Sequence, residues 1–96
     1  CLEAYISRRR APLPRILARE GAGLALRHLE RAVRDGASRE AREGMSQSAL
    51  LSGLALANSG LGLAHGVAAA LGMFVNVPHG LACAVMLPAA LRYNLE

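Results

Sequence analysis

Hydrophobic positions recur along this chain at helical spacing, and nowhere in strand alternation. In "CLEAYIS", Leu2, Tyr5 and Ile6 fall three and four residues apart, as at the end of a helix, and the run "RRRAPLP" stops it. Pro12 and Pro14 open a second helix, where a proline costs least because its missing N–H would be unpaired anyway. That helix is predicted over 13–34, with Ile16, Leu17, Leu24, Leu29 and Val33 as its buried stripe and "DGAS" as its close. Ser38 is an N-cap candidate for a third helix, and Glu40 suits its positive first turn. This helix is charged early, turns apolar over 45–57, and is broken by "NSG" at 58–60. A short helix over 63–71 follows, then the irregular "GMFVNVP", then a helix over 79–87. Pro88 ends or kinks that helix, and "AALRYN" adds a last turn. The predicted fold class is all-α, a helical bundle.

Composition limits what such a bundle can hide. With 96 residues there is room for one small domain, and 53% apolar residues exceed what it can bury. Some apolar surface is therefore expected to face a partner, or another part of the same protein. Aromatics are only 3%, so Ala, Leu and Val must fill the core.

The net charge of +4 rests on arginine alone, since the chain has no lysine. Arg8, Arg9, Arg10, Arg15, Arg19, Arg27, Arg31 and Arg34 form a basic face that invites a nucleic-acid reading. Glu3, Glu20, Glu30 and Asp35 are interleaved with them and no recognition motif is present, so a solvated amphipathic surface is expected, with no nucleic-acid partner. Residues 44–91 carry no Asp, Glu, Lys or Arg, enough length for two membrane spans of about 20 residues. Asn58, Ser59, Gly60, His65, Asn76, Pro78 and His79 interrupt that length, and backbone freed by such breaks cannot stay unpaired in lipid. A helical core inside a larger protein, with no membrane, is the expectation. Cys1 and Cys83 form neither a CxxC pair nor a disulfide framework, which points to a reducing, cytoplasmic setting.

The histidines carry the candidate chemistry. His28 lies among charged residues and reads as an ordinary surface position. His65 and His79 instead sit fourteen residues apart in the most apolar stretch, each followed by glycine and each near a helix start. One buried imidazole is most often a satisfied core residue, since its donor and acceptor simply need partners. Two such residues on separate elements read as converging metal ligands, and imidazole suits Fe, Zn, Ni and Cu. Two histidines do not fill a site. The G-x-G of "GLGLAH" follows a helix and lacks a third glycine, so a dinucleotide loop is not expected.

"ANSGLGLAHGVAAALGMFVNVPHGLACAVMLPAALRYN" resembles the metal-binding region of the iron-containing (group III) alcohol dehydrogenases. "LEAYIS" and "AREGMSQSALLSGLALANSGLG" are similar to upstream parts of that region, so the resemblance covers essentially the whole chain. It implies a two-domain parent with an N-terminal nucleotide-binding domain and a C-terminal all-helical domain. On this reading residues 1–96 are part of the helical domain, and the nucleotide-binding domain lies outside them. The implied metal is divalent, Fe2+ or Zn2+, held by one aspartate and three histidines. His65 and His79 match two of those ligands; the other two belong to a D-x-x-x-H pattern expected directly before "CLEAY".

The resemblance also implies a hydride exchanged with NAD or NADP and small alcohols and aldehydes or ketones as substrates; periodicity offers Leu63, Val67, Phe74 and Met86 as apolar walls. Many members carry a further histidine four residues after the first of these two ligands, where this chain has Ala69, so a proton relay is left unassigned. The 96-residue chain by itself is expected to be inactive and to self-associate or dock through apolar surface, as in a homo-oligomer. Readings of another class are a non-catalytic helical association module and, behind it, a membrane helical hairpin.

Overall fold

The computed structural model describes residues 1–9 and 11–95, the last without its side chain; Arg10 of the basic face lies outside the described residues, as does Glu96. Among the described residues five helices follow one another: α1 Leu2–Ile6, α2 Pro12–Arg34, α3 Arg39–Ser59, α4 Leu63–Leu71 and α5 His79–Leu95. No strand occurs among the described residues. The chain divides into two compact units, Cys1–Gly60 and Leu61–Glu96. Among the described residues no single helix is long and apolar enough to cross a membrane.

In the first unit, α2 and α3 form an antiparallel hairpin against which α1 packs. Proline at the first helical position explains why α2 starts at Pro12, with Ala11 before it extended at φ −94°, ψ 145°. The closing turn is local. The Asp35 N–H donates to the Arg31 carbonyl at 2.8 Å, and the Asp35 carboxylate accepts from the Ala37 N–H at 3.2 Å. Ser38 occupies the N-cap position of α3 as expected, but makes no side-chain cap bond; its carbonyl accepts the Arg42 N–H at 3.0 Å. Glu40 in that first turn pairs with Arg31 of α2 at 3.2 Å, tying the ends of the hairpin. At the far end Gly60 takes φ 74°, ψ 176°, a combination open essentially to glycine alone, and its N–H donates to the Leu56 carbonyl at 2.9 Å.

The seam between α2 and α3 differs from the predicted stripe. Ile16 is 64% exposed and Val33 77%, and Leu29 also faces outward, while Leu17 and Leu24 are only half-buried. The buried positions are Pro14, Ala18 and Gly21 on α2 and Ala41, Gly44, Ser48, Ala55 and Ser59 on α3. The seam is therefore made of small residues that let two backbones approach closely, and the large side chains flank it. A Cβ on Gly21 would stand 2.6 Å from Cys1 Sγ and 3.3 Å from Leu51 Cβ. The hydroxyls in the seam are all used, as buried polar groups must be. Ser48 donates to the Gly21 carbonyl at 2.7 Å, Ser59 to Ala55 at 2.7 Å, and Ser7 to Ser59 at 2.7 Å.

His28 is corrected by the same geometry. It is half-buried, and its ring occupies the space where a side chain at Gly44 would begin. A histidine placed over a glycine fills the notch that the missing Cβ leaves.

In the second unit α4 and α5 pack against each other, and Ala64, Ala68, Ala82 and Ala90 are buried. The connection 72–78 turns tightly: Phe74 and Val75 both donate to the Leu71 carbonyl at 2.9 Å. Helix α5 starts beyond Pro78, whose carbonyl accepts the Ala82 N–H at 3.1 Å. Pro88 does not end this helix, which continues to Leu95 with Pro88 inside it. A proline there deletes one backbone donor and crowds the preceding turn, a local cost that the rest of α5 absorbs.

Candidate metal centre

His65 is the third residue of α4 and His79 the first of α5. The hydrogen-bonded turns of 72–78 reverse the chain between them, so imidazoles fourteen residues apart in sequence meet. Their ring centroids are 5.6 Å apart and the ring planes are tilted by 56°. His65 is half-buried, whereas His79 is exposed.

A third donor joins them. Cys83 lies one helical turn after His79 on α5, where residues four apart share a face. Its Sγ is 3.5 Å from His79 Nε2, and the thiol is free and half-buried. One ligand atom from each of His65, His79 and Cys83 can be chosen so that all three lie within 4.8 Å of one another. No other group of three or more His, Cys, Asp or Glu side chains among the described residues converges in this way. Two imidazoles and a thiol are the donors that zinc, iron and their neighbours accept, so the residues present fit a divalent transition metal.

Of the residues singled out from sequence, His65 and His79 are brought together and Cys83 was missed as a member of the cluster. The signal for it was present as H-x-x-x-C within one helix. The expected apolar walls hold only in part. Val67 and Met86 are half-buried, but Leu63 is exposed and Phe74 is 82% exposed, because 72–78 forms an outward turn.

Three arginines of the basic face pair with carboxylates, Arg27 with Glu20 at 3.3 Å, Arg31 with Glu40 at 3.2 Å and Arg34 with Glu30 at 2.8 Å, and on α3 Arg39 pairs with Glu43 at 2.7 Å, all in exposed positions. Arg15 instead lies over the Tyr5 ring, 4.9 Å from its centroid.

Comparison with known proteins decides what this helical unit is part of. The family model described as the Fe-containing alcohol dehydrogenase family, C-terminal, matches residues 1–96. The chain belongs to the iron-containing alcohol dehydrogenase family. A 1,3-propanediol dehydrogenase of Klebsiella pneumoniae is 43% identical over 94 residues, 98% of this chain and 24% of the relative. Alcohol dehydrogenase 4 of Saccharomyces cerevisiae (strain ATCC 204508 / S288c) is 36% identical over 96 residues, 100% of this chain and 25% of the relative. A lactaldehyde reductase of Escherichia coli (strain K12) is 45% identical over 58 residues, 60% of this chain and 15% of the relative. The chain thus spans about a quarter of the length of the curated relatives it matches first. No solved structure matches it.

Proposed function

We propose that this chain is the metal-binding helical portion of an NAD- or NADP-linked alcohol dehydrogenase that interconverts small alcohols with aldehydes or ketones. The observation that carries the reading is the meeting of His65 and His79, from two helices, in a chain of the iron-containing alcohol dehydrogenase family. In this reading both histidines hold a divalent ion, Fe2+ or Zn2+, and a D-x-x-x-H segment N-terminal to Cys1 completes the ligand set. When bound, the ion supplies a Lewis acid that polarises an alcohol or carbonyl oxygen and stabilises its developing negative charge. Hydride chemistry belongs to the nicotinamide cofactor, which the protein positions.

The chain's own residues hold and orient. His79 is fixed at the start of α5 by the turn at Pro78, and His65 is held in the first turn of α4. Ala69, four residues after His65, offers no group for a proton, so the proton relay is left unassigned. Relatives named for 1,3-propanediol and lactaldehyde support a short, oxygenated substrate class. The free thiols Cys1 and Cys83 suit a reducing cytoplasm. Exposed Leu26, Val33, Leu50 and Val85 supply apolar surface for the rest of the subunit or for a second copy.

The test is His65→Ala and His79→Ala in the full-length dehydrogenase. Each substitution should abolish metal retention and alcohol oxidation together. Activity surviving in both would show that these histidines are not the ligands.

A further inference from the structure

We propose that Gly21 is a positioning residue for the metal centre: the notch left by its missing Cβ seats Cys1, and so fixes the ligands that stand N-terminal to α1. The proposal rests on the reading of a D-x-x-x-H segment before Cys1 as half of the ligand set. It deepens that reading by naming what holds the segment in place.

Helix α1 cannot place itself. It has five residues, and an isolated helix needs about 12–15 to be even marginally stable in water. Its position comes from the α2–α3 hairpin. Ala4 is buried in one cluster with Ala18 and Ala55, which holds the middle of α1. The Tyr5 ring lies under Arg15, and the Ser7 hydroxyl donates to the Ser59 carbonyl at 2.7 Å, which holds its C-terminal end. At the N-terminal end the seat is Gly21.

That seat is closed on every side by a named atom. A Cβ on Gly21 would stand 2.6 Å from Cys1 Sγ, with the Ser48 carbonyl oxygen and Leu51 Cβ each at 3.3 Å. Ordinary contact begins at about 3.5 Å, so Cys1 would have to give way by about 1 Å. Ser48 and Leu51 belong to α3 and flank the added methyl, which therefore has no open side to move into.

A shift of that size is passed on. The Tyr5 N–H donates to the Cys1 carbonyl at 2.9 Å, so Cys1 is bonded into α1 and moves with it. In the proposed reading the residue before Cys1 is itself a ligand. Metal–ligand distances hold to within about 0.2 Å, several times less than the displacement an alanine at position 21 imposes.

The experiment uses the full-length dehydrogenase, stripped of metal and reloaded with Zn2+ or Co2+. The forms compared are the parent, Gly21→Ala, Cys1→Val, Gly21→Ala/Cys1→Ala, Gly44→Ala and His65→Ala. Zn2+ affinity is read against a chromophoric chelator, ligand geometry from the visible absorption of bound Co2+, and stability from thermal melts of the metal-free protein. Gly21→Ala is expected to weaken Zn2+ by about tenfold or more, as loss of groups that orient metal ligands does, and to change the Co2+ spectrum. Cys1→Val overfills the same notch from the α1 side and should act alike, which keeps the test open if Gly21→Ala does not fold. Removing Sγ in the double variant should return affinity and spectrum toward the parent. Gly44→Ala crowds the His28 ring of α2 instead, and should lower the melt while leaving affinity and spectrum as they were. Unchanged Zn2+ affinity in both Gly21→Ala and Cys1→Val, or equal weakening by Gly44→Ala, overturns the proposal and leaves the ligand reading standing. Full affinity in His65→Ala would remove the ligand reading, and the proposal with it.

Discussion

The rings of His65 and His79 lie 5.6 Å apart, centroid to centroid, although they begin two separate helices. An ion that engages both rings clips α4 to α5 across 72–78 and binds the folded arrangement alone. Zn2+ should therefore raise the melting temperature of the chain, by an amount equal to about 2.7 kcal/mol when the free ion is at 100 times its dissociation constant. EDTA should reverse the shift, and a His65→Ala/His79→Ala double variant should show none. Thermal melts followed by circular dichroism read all three, and a shift of equal size in the double variant would exclude these rings as the clip.

Gly44 and His28 make a sharper test because the sign of the effect depends on the partner. Alanine in place of a helical glycine ordinarily stabilises by about 0.5–1 kcal/mol. Here the added Cβ would collide with the body of the His28 ring, and overpacking costs about 1–3 kcal/mol. Gly44→Ala should therefore destabilise the native chain. In a His28→Ala background the collision is gone, and the same substitution should become stabilising by about 1 kcal/mol. Urea denaturation of the four forms gives the coupling directly. Additive effects would mean that the ring does not sit over Gly44.

The helices and their ends were largely legible because they are marked by backbone chemistry. Pro12 starts α2, Gly60 stops α3 with a conformation few other residues adopt, and the residue after Pro78 opens α5. The seam was not legible. A stripe read from Ile16, Leu29 and Val33 assumes that the largest apolar residues face inward, yet two helices meeting at Ala18, Gly21, Gly44 and Ser48 come too close for them. No large side chain is fully buried among the described residues, which fits the excess of apolar composition read at the outset. At the candidate centre, His65 and His79 stood out because an apolar stretch makes an imidazole conspicuous. Cys83 did not, because a cysteine in such a stretch reads as a small hydrophobe until its spacing from His79 is considered. Pro88 was read as an end or a kink from local chemistry, and α5 runs on through it to Leu95.

Gly60 separates backbone strain from crowding. A Cβ there would meet nothing closer than Arg9 Nη1 at 3.9 Å, so only the φ 74°, ψ 176° conformation opposes substitution. Gly60→Ala should cost about 1–3 kcal/mol of stability. Gly60→Asn should cost nearly as much, because asparagine favours the left-handed helical region and not this extended one. Denaturation midpoints for the two variants check both statements, and an asparagine that restores stability would place Gly60 in the ordinary left-handed cap.

Metal binding and turnover should separate in the 96-residue chain. Oxidation of an alcohol by NAD(P) needs the nicotinamide held within reach of the substrate, and orientation of that kind accounts for about 7–11 kcal/mol of a catalysed barrier. The described residues form five helices and no strand–turn–helix unit that would seat a pyrophosphate at a helix start. His65, His79 and Cys83, by contrast, all belong to the one unit Leu61–Glu96 and converge within it. The purified chain should therefore take up Zn2+ while showing no NAD(P)-dependent oxidation of 1,3-propanediol or reduction of lactaldehyde, read as absorbance change of the nicotinamide. Adding the metal should not create activity, because what limits the chain is placement of the hydride carrier and not the ion. Detectable turnover by the chain would sink this prediction, and would mean that these helices hold the cofactor as well as the metal.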